Sequence, residues 1–378
     1  MTKRQQTFNF SAGPAVLPQP VLEIAQAELL DYGGSGMSVM ELSHRSPEFE
    51  AINDKADADF RALWKIPANY RVLFMQGGAT AQFSAMVYNL AKTGKADYLV
   101  TGAWGEKAVE EAKRLGLDVG VVFNTKATKH DGNLPPVDSW KFSDDASYIW
   151  YCANETIHGV ELPETIVENF PPGIPVVCDM SSNALSKPVD VSKYAVIFAG
   201  AQKNIGPAGV VIVVIREDML GTSYFPKSPC PIMLDYKTCA DSKSLYNTPP
   251  TYSIYMVGLV LDYMVKQGGL ATYNAANDIK SGKLYDAIDS SHGVFMCPVK
   301  PEYRSRMNIP FRVYGEDGKP SKDVEEEFLK GAEELGMVQL RGHRSVGGIR
   351  ASLYNALPMA AVDGLVAYMK EFAAKRQH

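Results

Sequence analysis

The chain has 378 residues, 46% of them apolar and 21% charged, with a net charge of −5 and a pI near 5.8. These are the proportions of a soluble globular protein, long enough for one large and one small domain or two comparable ones. The acidic balance argues against a general nucleic-acid or membrane-surface role, so any anion site is a local pocket. Cys152, Cys178, Cys230, Cys239 and Cys297 form no CxxC pair, which fits a reduced cytosolic compartment. The opening MTKRQQTFNFSAGP has no apolar signal core, and the run at 210–215 is too short to span a bilayer. A cytoplasmic protein is expected.

In chain order, RVLFM (71–75) reads as a strand, followed by Gly77-Gly78 and a helix beginning ATAQF. DYLV (97–100) is a second strand, and TGAWG leads from it into the helix EKAVEEAKRL. SYIWYC (147–152), PVVCDM (175–180), YAVIFAG (194–200) and GVVIVVI (209–215) are further strands. Their apolar runs are continuous rather than alternating, which suits a mainly parallel sheet covered on both faces. Five prolines punctuate 225–250, which reads as a long ordered loop. Helices are expected near 252–268 and 270–290, then a strand at 307–313. Ser321 is placed to cap the helix DVEEEFLKGAEELG. QLRGHRSVGGIRASLY reads as strand, basic loop and strand, and an amphipathic helix ends the chain. A domain change is expected near 265–275: residues 16–268 form a large α/β domain and 269–378 a smaller α+β one, with the arm 1–15 packed on the latter.

Lys203 stands in IFAGAQKNIGPAGV, a Gly-rich loop between two buried strands. Most lysines are solvated surface residues. This one has apolar flanks and glycines that permit close backbone approach, so it can be desolvated into a usable nucleophile. Asp179 ends a buried strand, where α/β sheets bind ligands, although an aspartate there also commonly caps a helix. Gly77-Gly78-Ala79-Thr80 joins a strand to a helix N-terminus, a place that suits a phosphate; it matches neither a Walker loop nor GxGxxG. Trp104 could stack on a ring, and Thr156 could contact a ring oxygen; taken singly, packing is the commoner role for the one and a cap for the other. Basic groups gather in SHRSPEFE (His44, Arg45) and in RGHRSVGGIR (Arg341, His343, Arg344, Arg350) with little acidic compensation, as an anion site requires. The six histidines show no HxxxH or HxH spacing, so no metal site is expected. An activated amine, a carboxylate for a pyridine nitrogen, a flat face, a phosphate turn and substrate cations are the parts that pyridoxal phosphate (PLP) chemistry needs.

Taken together, FNFSAGPAVLP, DYGGSGMSVMELSHRSPEFE, MQGGATAQF, NETIHGVE, CDMSSN, FAGAQKNIGPAGV, YNTPPTYSIY and GHRSVGGIRASLYNA resemble the phosphoserine aminotransferase family, class V aminotransferases of PLP fold type I. The resemblance covers nearly the whole chain and implies a seven-stranded, mainly parallel sheet with a smaller C-terminal domain. It implies that Lys203 carries the cofactor and moves the proton, that Asp179 pairs with the pyridine nitrogen, that Trp104 stacks on the ring and that Thr156 contacts its oxygen. Ala79, Thr80 and Gln202 would hold the phosphate. Asn247 and Thr248 would reach it from a second subunit, and His44 and Arg45 would reach the substrate likewise, making the active form a homodimer. His343, Arg344 and Arg350 would complete the anion site for L-glutamate, 3-phosphohydroxypyruvate and O-phosphoserine in serine biosynthesis; some members also act on a phosphorylated hydroxythreonine. One departure is Thr80, which stands where some members carry an arginine. An alanine–glyoxylate aminotransferase, a cysteine desulfurase and a nucleotide-binding oxidoreductase are the alternatives. GHRSVGGIRASLYNA favours the phosphoserine family over the first two, the desulfurase would also need a reactive loop cysteine that none of the five supplies, and the third would need GxGxxG.

Overall fold

The computed structural model describes residues 3–376. Seven strands form the main sheet: β1 (Tyr70–Met75), β2 (Lys95–Val100), β3 (Asp118–Asn124), β4 (Ile149–Cys152), β5 (Val176–Asp179), β6 (Val196–Gly200) and β7 (Val211–Arg216). Their order across the sheet is β1-β7-β6-β5-β4-β2-β3. β7 runs antiparallel to both neighbours, β1 and β6, and the remaining pairings are parallel. β4, β5 and β6 are buried at every position. Alternate residues feed two cores. Tyr98, Trp150 and Phe198 join one cluster, while Leu99, Tyr151 and Ile197 join the other, because successive side chains point to opposite faces of a strand. That double covering is why the strands read as unbroken apolar runs.

Helices α1 (Gln19–Ala27), α2 (Pro47–Trp64), α3 (Gly78–Leu90) and α4 (Ala103–Arg114) surround the sheet, with α5 (Tyr236–Asp241) and α6 (Thr251–Lys266) following it in the chain. The 21-residue α7 (Gly269–Asp289) leads to a second, three-stranded antiparallel sheet of β8 (Phe295–Met296), β9 (Asn308–Val313) and β10 (Ile349–Ser352). Helices α8 (Lys322–Glu334) and α9 (Met359–Ala374) pack there through edge-on contacts among Phe295, Phe328 and Phe372. Ser321 caps α8 by accepting the Val324 N–H at 3.4 Å.

The structure departs from the sequence reading in three places. The 225–250 segment is not wholly irregular: its proline-free middle forms α5, capped by the Asp235 carboxylate, which accepts the Lys237 N–H at 2.9 Å. The strand expected at 339–341 is displaced. The paired residues are Met337–Val338, running parallel to Phe8–Asn9 of the arm, and Gln339 at φ +65° ends the pairing. The sequence reading assigned no element to β3, α1 or α2: β3 lies at the sheet edge with a mixed burial pattern, α1 is short, and α2 is highly charged.

Beyond β4 the chain makes a short hairpin in which Asn154–Glu155 pairs with Val160–Glu161. Gly159 turns it at φ +71°, and a Cβ there would lie 2.3 Å from Pro310 Cδ and 2.8 Å from the Asn308 carbonyl oxygen. The chain therefore needs glycine at this position for both conformation and space. Gly159→Ala is expected to lower the unfolding free energy by about 2 kcal/mol or more in a denaturant titration, the range for a strained backbone combined with an overpacked contact.

Candidate active site

Five parallel strands, β1, β2, β4, β5 and β6, end at one edge of the sheet, and each delivers a candidate group there. β1 runs into Gly77-Gly78 and α3, β2 into Gly102 and Trp104, β4 into Glu155 and Thr156, β5 ends on Asp179, and β6 runs into the Lys203 loop. Ligands of open α/β sheets bind at this carboxyl edge because the loops and helix N-termini converge there. Lys203 is only 8% exposed. Its Nζ donates to Thr156 Oγ1 at 2.7 Å and lies 5.8 Å from the centre of the Trp104 ring. Burial pushes the Lys203 ammonium below its usual range, and the neighbouring Asp179 opposes the shift in part.

Asp179 is buried, and burial raises its carboxyl above the ordinary value. Its Oδ1 accepts the Ser181 N–H at 2.8 Å and the Ser181 hydroxyl at 2.6 Å. Ser181 Oγ in turn accepts the Gly200 N–H at 3.1 Å, tying the ends of β5 and β6 together. Arg350 is partly buried; it donates from Nη1 to the Thr156 carbonyl at 3.3 Å, and its Nε is buried without a partner. Trp104 Nε1 is likewise buried without a partner. His343 is held below its usual pKa, first by partial burial and then by the charges of Arg350 and Arg344. Arg344 is exposed. Arg341 is taken up by Glu326, whose Oε2 accepts from Nη2 at 2.7 Å, so this one arginine of the basic loop has the acidic partner that the sequence reading did not expect.

Among the described residues two lysines are buried, Lys203 and Lys280. Lys280 has a low pKa too, pushed down to about 8 by burial. Its Nζ donates to the carbonyls of Leu353, Tyr354 and Leu357 at 3.1, 2.9 and 3.4 Å, with no carboxylate or aromatic face beside it. It fastens the turn after β10, whereas Lys203 faces groups that can act on a ligand.

The other candidates divide in two. Ala79 and Thr80 start α3, whose N-cap Gly77 (φ +86°) offers no side-chain cap, so the first-turn N–H groups are left for an anion. Gln202 lies beside Lys203, with its amide folded against Gly200. His44 and Arg45 are not brought to Lys203. They line a separate hollow with Glu50, Asp54, Lys243 and Leu245. Asn247 Oδ1 and the Thr248 carbonyl each lie 3.4 Å from Gln76 Nε2. Ile232 and Tyr246, which line a small hollow with Gln76 and Asn247, are 52% and 48% exposed.

Sequence reasoning missed three contributors. The arm covers the lysine: a Cβ on Gly13 would lie 3.3 Å from Lys203 Cγ, and the Ala15 N–H donates to the Gln202 carbonyl at 2.8 Å. Glu155 is fully buried beside Trp104, and His158 packs on His130 with ring centres 4.6 Å apart. All three sit inside the quoted motifs FNFSAGP and NETIHG, but nothing in their spacing points to burial. Among the described residues no group of three or more His, Cys, Asp and Glu side chains could hold a metal.

Burial, with help from His130, pushes the His158 pKa down to about 4. A histidine kept neutral in the fold binds its proton more readily in the unfolded chain, so its stability contribution is complete above the unfolded value near 6.5 and is lost as pH falls toward 4. Urea titrations across that window are expected to show falling stability, with a shallower fall in His158→Gln; an unchanged slope would contradict the assignment.

Residues 7–365 match the family model described as aminotransferase class V. Phosphoserine aminotransferase of Laribacter hongkongensis is 52% identical over 370 residues, spanning 97% of this chain and 99% of that one. The solved phosphoserine aminotransferase of Bacillus circulans subsp. alkalophilus superimposes with a TM-score of 0.90 at 43% identity, covering 98% of this chain and 99% of that chain. A PLP-bound phosphoserine aminotransferase from Trichomonas vaginalis matches with a TM-score of 0.86 at 43% identity, over 96% of this chain and 99% of that chain. The chain belongs to the class V aminotransferases and, within them, to the phosphoserine aminotransferase family.

Proposed function

We propose that the chain moves the amino group of L-glutamate to 3-phosphohydroxypyruvate, reversibly, giving 2-oxoglutarate and O-phospho-L-serine for serine biosynthesis, with PLP carried on Lys203. The observation that carries this reading is the buried Lys203 amine, 2.7 Å from Thr156 Oγ1 and flanked by the buried carboxylate of Asp179.

The residues fit the cofactor. Trp104 offers a flat face near the amine, Trp104 Nε1 and Arg350 Nε are buried polar atoms awaiting partners, and the uncapped start of α3 at Ala79 and Thr80 suits a phosphate. When bound, PLP supplies an electron sink for the bond at the substrate's α-carbon. Asp179 would keep the ring nitrogen protonated, and the two Ser181 bonds hold its carboxylate in place. The lowered pKa of Lys203 makes its amine available to take the proton from the substrate's α-carbon and return it. Thr156 Oγ1 orients that amine, and the arm at Gly13 closes over it. Arg350 binds the substrate's α-carboxylate, while His343 and Arg344 take the distal anion, phosphate in one half of the cycle and γ-carboxylate in the other. Guanidinium and imidazole donors accept either group because both present anionic oxygens. Thr80 contributes a hydroxyl without charge, leaving the cationic work to the basic loop.

Two copies are needed to complete the site. His44 and Arg45 line a hollow that does not include Lys203, which supports their serving the partner's site in a homodimer, and Asn247 and Thr248 are assigned the same role. Residues 16–268 form the cofactor-binding part and those from 269 onward the smaller part, with 377–378 outside the described residues, and the arm pairs with the smaller part through Phe8–Asn9 and Met337–Val338. A cytoplasmic location accords with five free cysteines, and among the described residues no helix is long and apolar enough to cross a membrane. A desulfurase reading finds no support, because burial pushes the Cys152 thiol far up, and those of Cys239 and Cys230 to about 11 and about 12.

Phosphoserine is expected to be a far better amino donor than alanine or cysteine, and equal rates would refute the anion-pocket reading. Arg344→Ala should cost phosphoserine about 10- to 100-fold in kcat/KM, the loss of one charged hydrogen bond, and a small neutral donor little. Mixing inactive Lys203→Ala with inactive Arg45→Ala chains should restore about a quarter of wild-type activity, since half the dimers are hybrids and each hybrid has one intact site. No recovery after confirmed subunit exchange would place Arg45 in its own chain's site.

A further inference from the structure

We infer that Glu155 is a positioning residue whose carboxylate, seated on the N-terminus of α4, sets the ring of Trp104 against the cofactor site. Glu155 is 0% exposed, and its Oε2 accepts the Trp104 N–H at 3.0 Å while Oε1 accepts the Gly105 N–H at 2.8 Å. The residue before these, Ala103, donates its N–H to His158 Nδ1 at 3.4 Å, leaving the ring proton on Nε2. The first three N–H groups of α4 are therefore all met by the segment 155–158. The same segment supplies Thr156 Oγ1 to Lys203 and the Thr156 carbonyl to Arg350.

This is an unusual way to cap a helix. The ordinary solution is a Ser, Thr, Asp or Asn at the N-cap position itself. Here that position is Gly102, with extended backbone (φ −179°) and no side-chain cap. A Cβ on Gly102 would lie 2.4 to 2.5 Å from the Glu155 carboxyl group, and one on Gly105 would lie 3.4 Å from Glu155 Oε1 and 3.2 Å from Val100 Cα. The two glycines flanking Ala103-Trp104 are thus the space through which a remote carboxylate reaches the helix. A local cap would stabilise α4 equally well but would leave Trp104 unconnected to the lysine. The remote one ties Trp104, Thr156, Lys203 and Arg350 into one body.

Burying a carboxylate this close to Asp179 is costly, and burial together with that neighbour pushes Glu155 up to about 7 against the pull of its two N–H donors. The partial positive charge of the helix start and the two donors are what retain it. Glutamine could keep one of the two bonds, but its amide NH2 would face the other N–H donor, so the substitution should turn the start of α4 and its ring.

The inference rests on the reading of Trp104 as the ring-facing residue, and its test separates the two. The Trp104 contribution to emission is obtained in cofactor-free protein by subtracting the spectrum of the matched Trp104→Phe variant, which removes the signals of Trp64, Trp140 and Trp150. Glu155→Gln is expected to shift that difference spectrum and to lower kcat by about tenfold, the effect of one misplaced contact at the reacting centre. Gly102→Ala, which pushes the carboxylate out from the other side, should give the same shift, and it carries the test alone should Glu155→Gln fail to fold. A Glu155→Gln protein with a lower melting temperature but an unchanged Trp104 spectrum and unchanged kcat would reduce Glu155 to a structural cap and overturn the inference. Failure of the Trp104 reading shows differently: Trp104→Phe alone would then leave cofactor binding and kcat untouched.

Discussion

The site depends on keeping one amine dry next to two carboxylates. Lys203 is buried, as are Asp179 and Glu155, and the three groups influence one another's protonation. Burial lowers the pKa of the lysine and raises those of the acids; mutual attraction opposes both shifts. The balance leaves the Lys203 amine below its ordinary pKa and the Asp179 carboxyl above its own. Such a set of charges survives in a core only when each has hydrogen-bond partners. The partners here are Thr156 for the lysine, Ser181 for the aspartate and the start of α4 for the glutamate.

The sheet makes this affordable. Five parallel strands end at one edge, so five loops converge with little loop length, and the strands behind them are buried on both faces. β7, running the other way, brings the chain back from the Lys203 loop without blocking the edge. The arm and β10 then close the site from the C-terminal half: Phe10 and Ala12 bond to Val338 and Tyr354, and Asn355 bonds to Asn204 beside the lysine. A motion of the C-terminal part would therefore be felt directly at Lys203, Arg350 and the basic loop.

Much of this was legible in the residues, for physical reasons. Short continuous apolar runs rich in β-branched and aromatic residues suit strands covered on both faces, so the central strands and the carboxylate and lysine at their ends stood out. Lys203 and Asp179 were visible as charged residues in apolar surroundings. Glu155 was not, because a glutamate between Asn154 and Thr156 looks polar in a polar stretch, and its burial comes from a helix start fifty residues away. The edge strand β3 and the helix α5 escaped because partial exposure blurs the apolar pattern and because prolines on either side suggested a loop. Nor could periodicity show that His44 and Arg45 line a hollow apart from Lys203, since that is a matter of tertiary placement.

The central claim is that Lys203, and not the other buried lysine, carries the cofactor. Lys280 is the natural control, being equally dry and also low in pKa, but surrounded by backbone carbonyls. Borohydride reduction of the PLP-loaded protein followed by peptide mapping decides between them. The account predicts a single cofactor-modified peptide containing Lys203; modification of Lys280, or of any other lysine in its place, would contradict it.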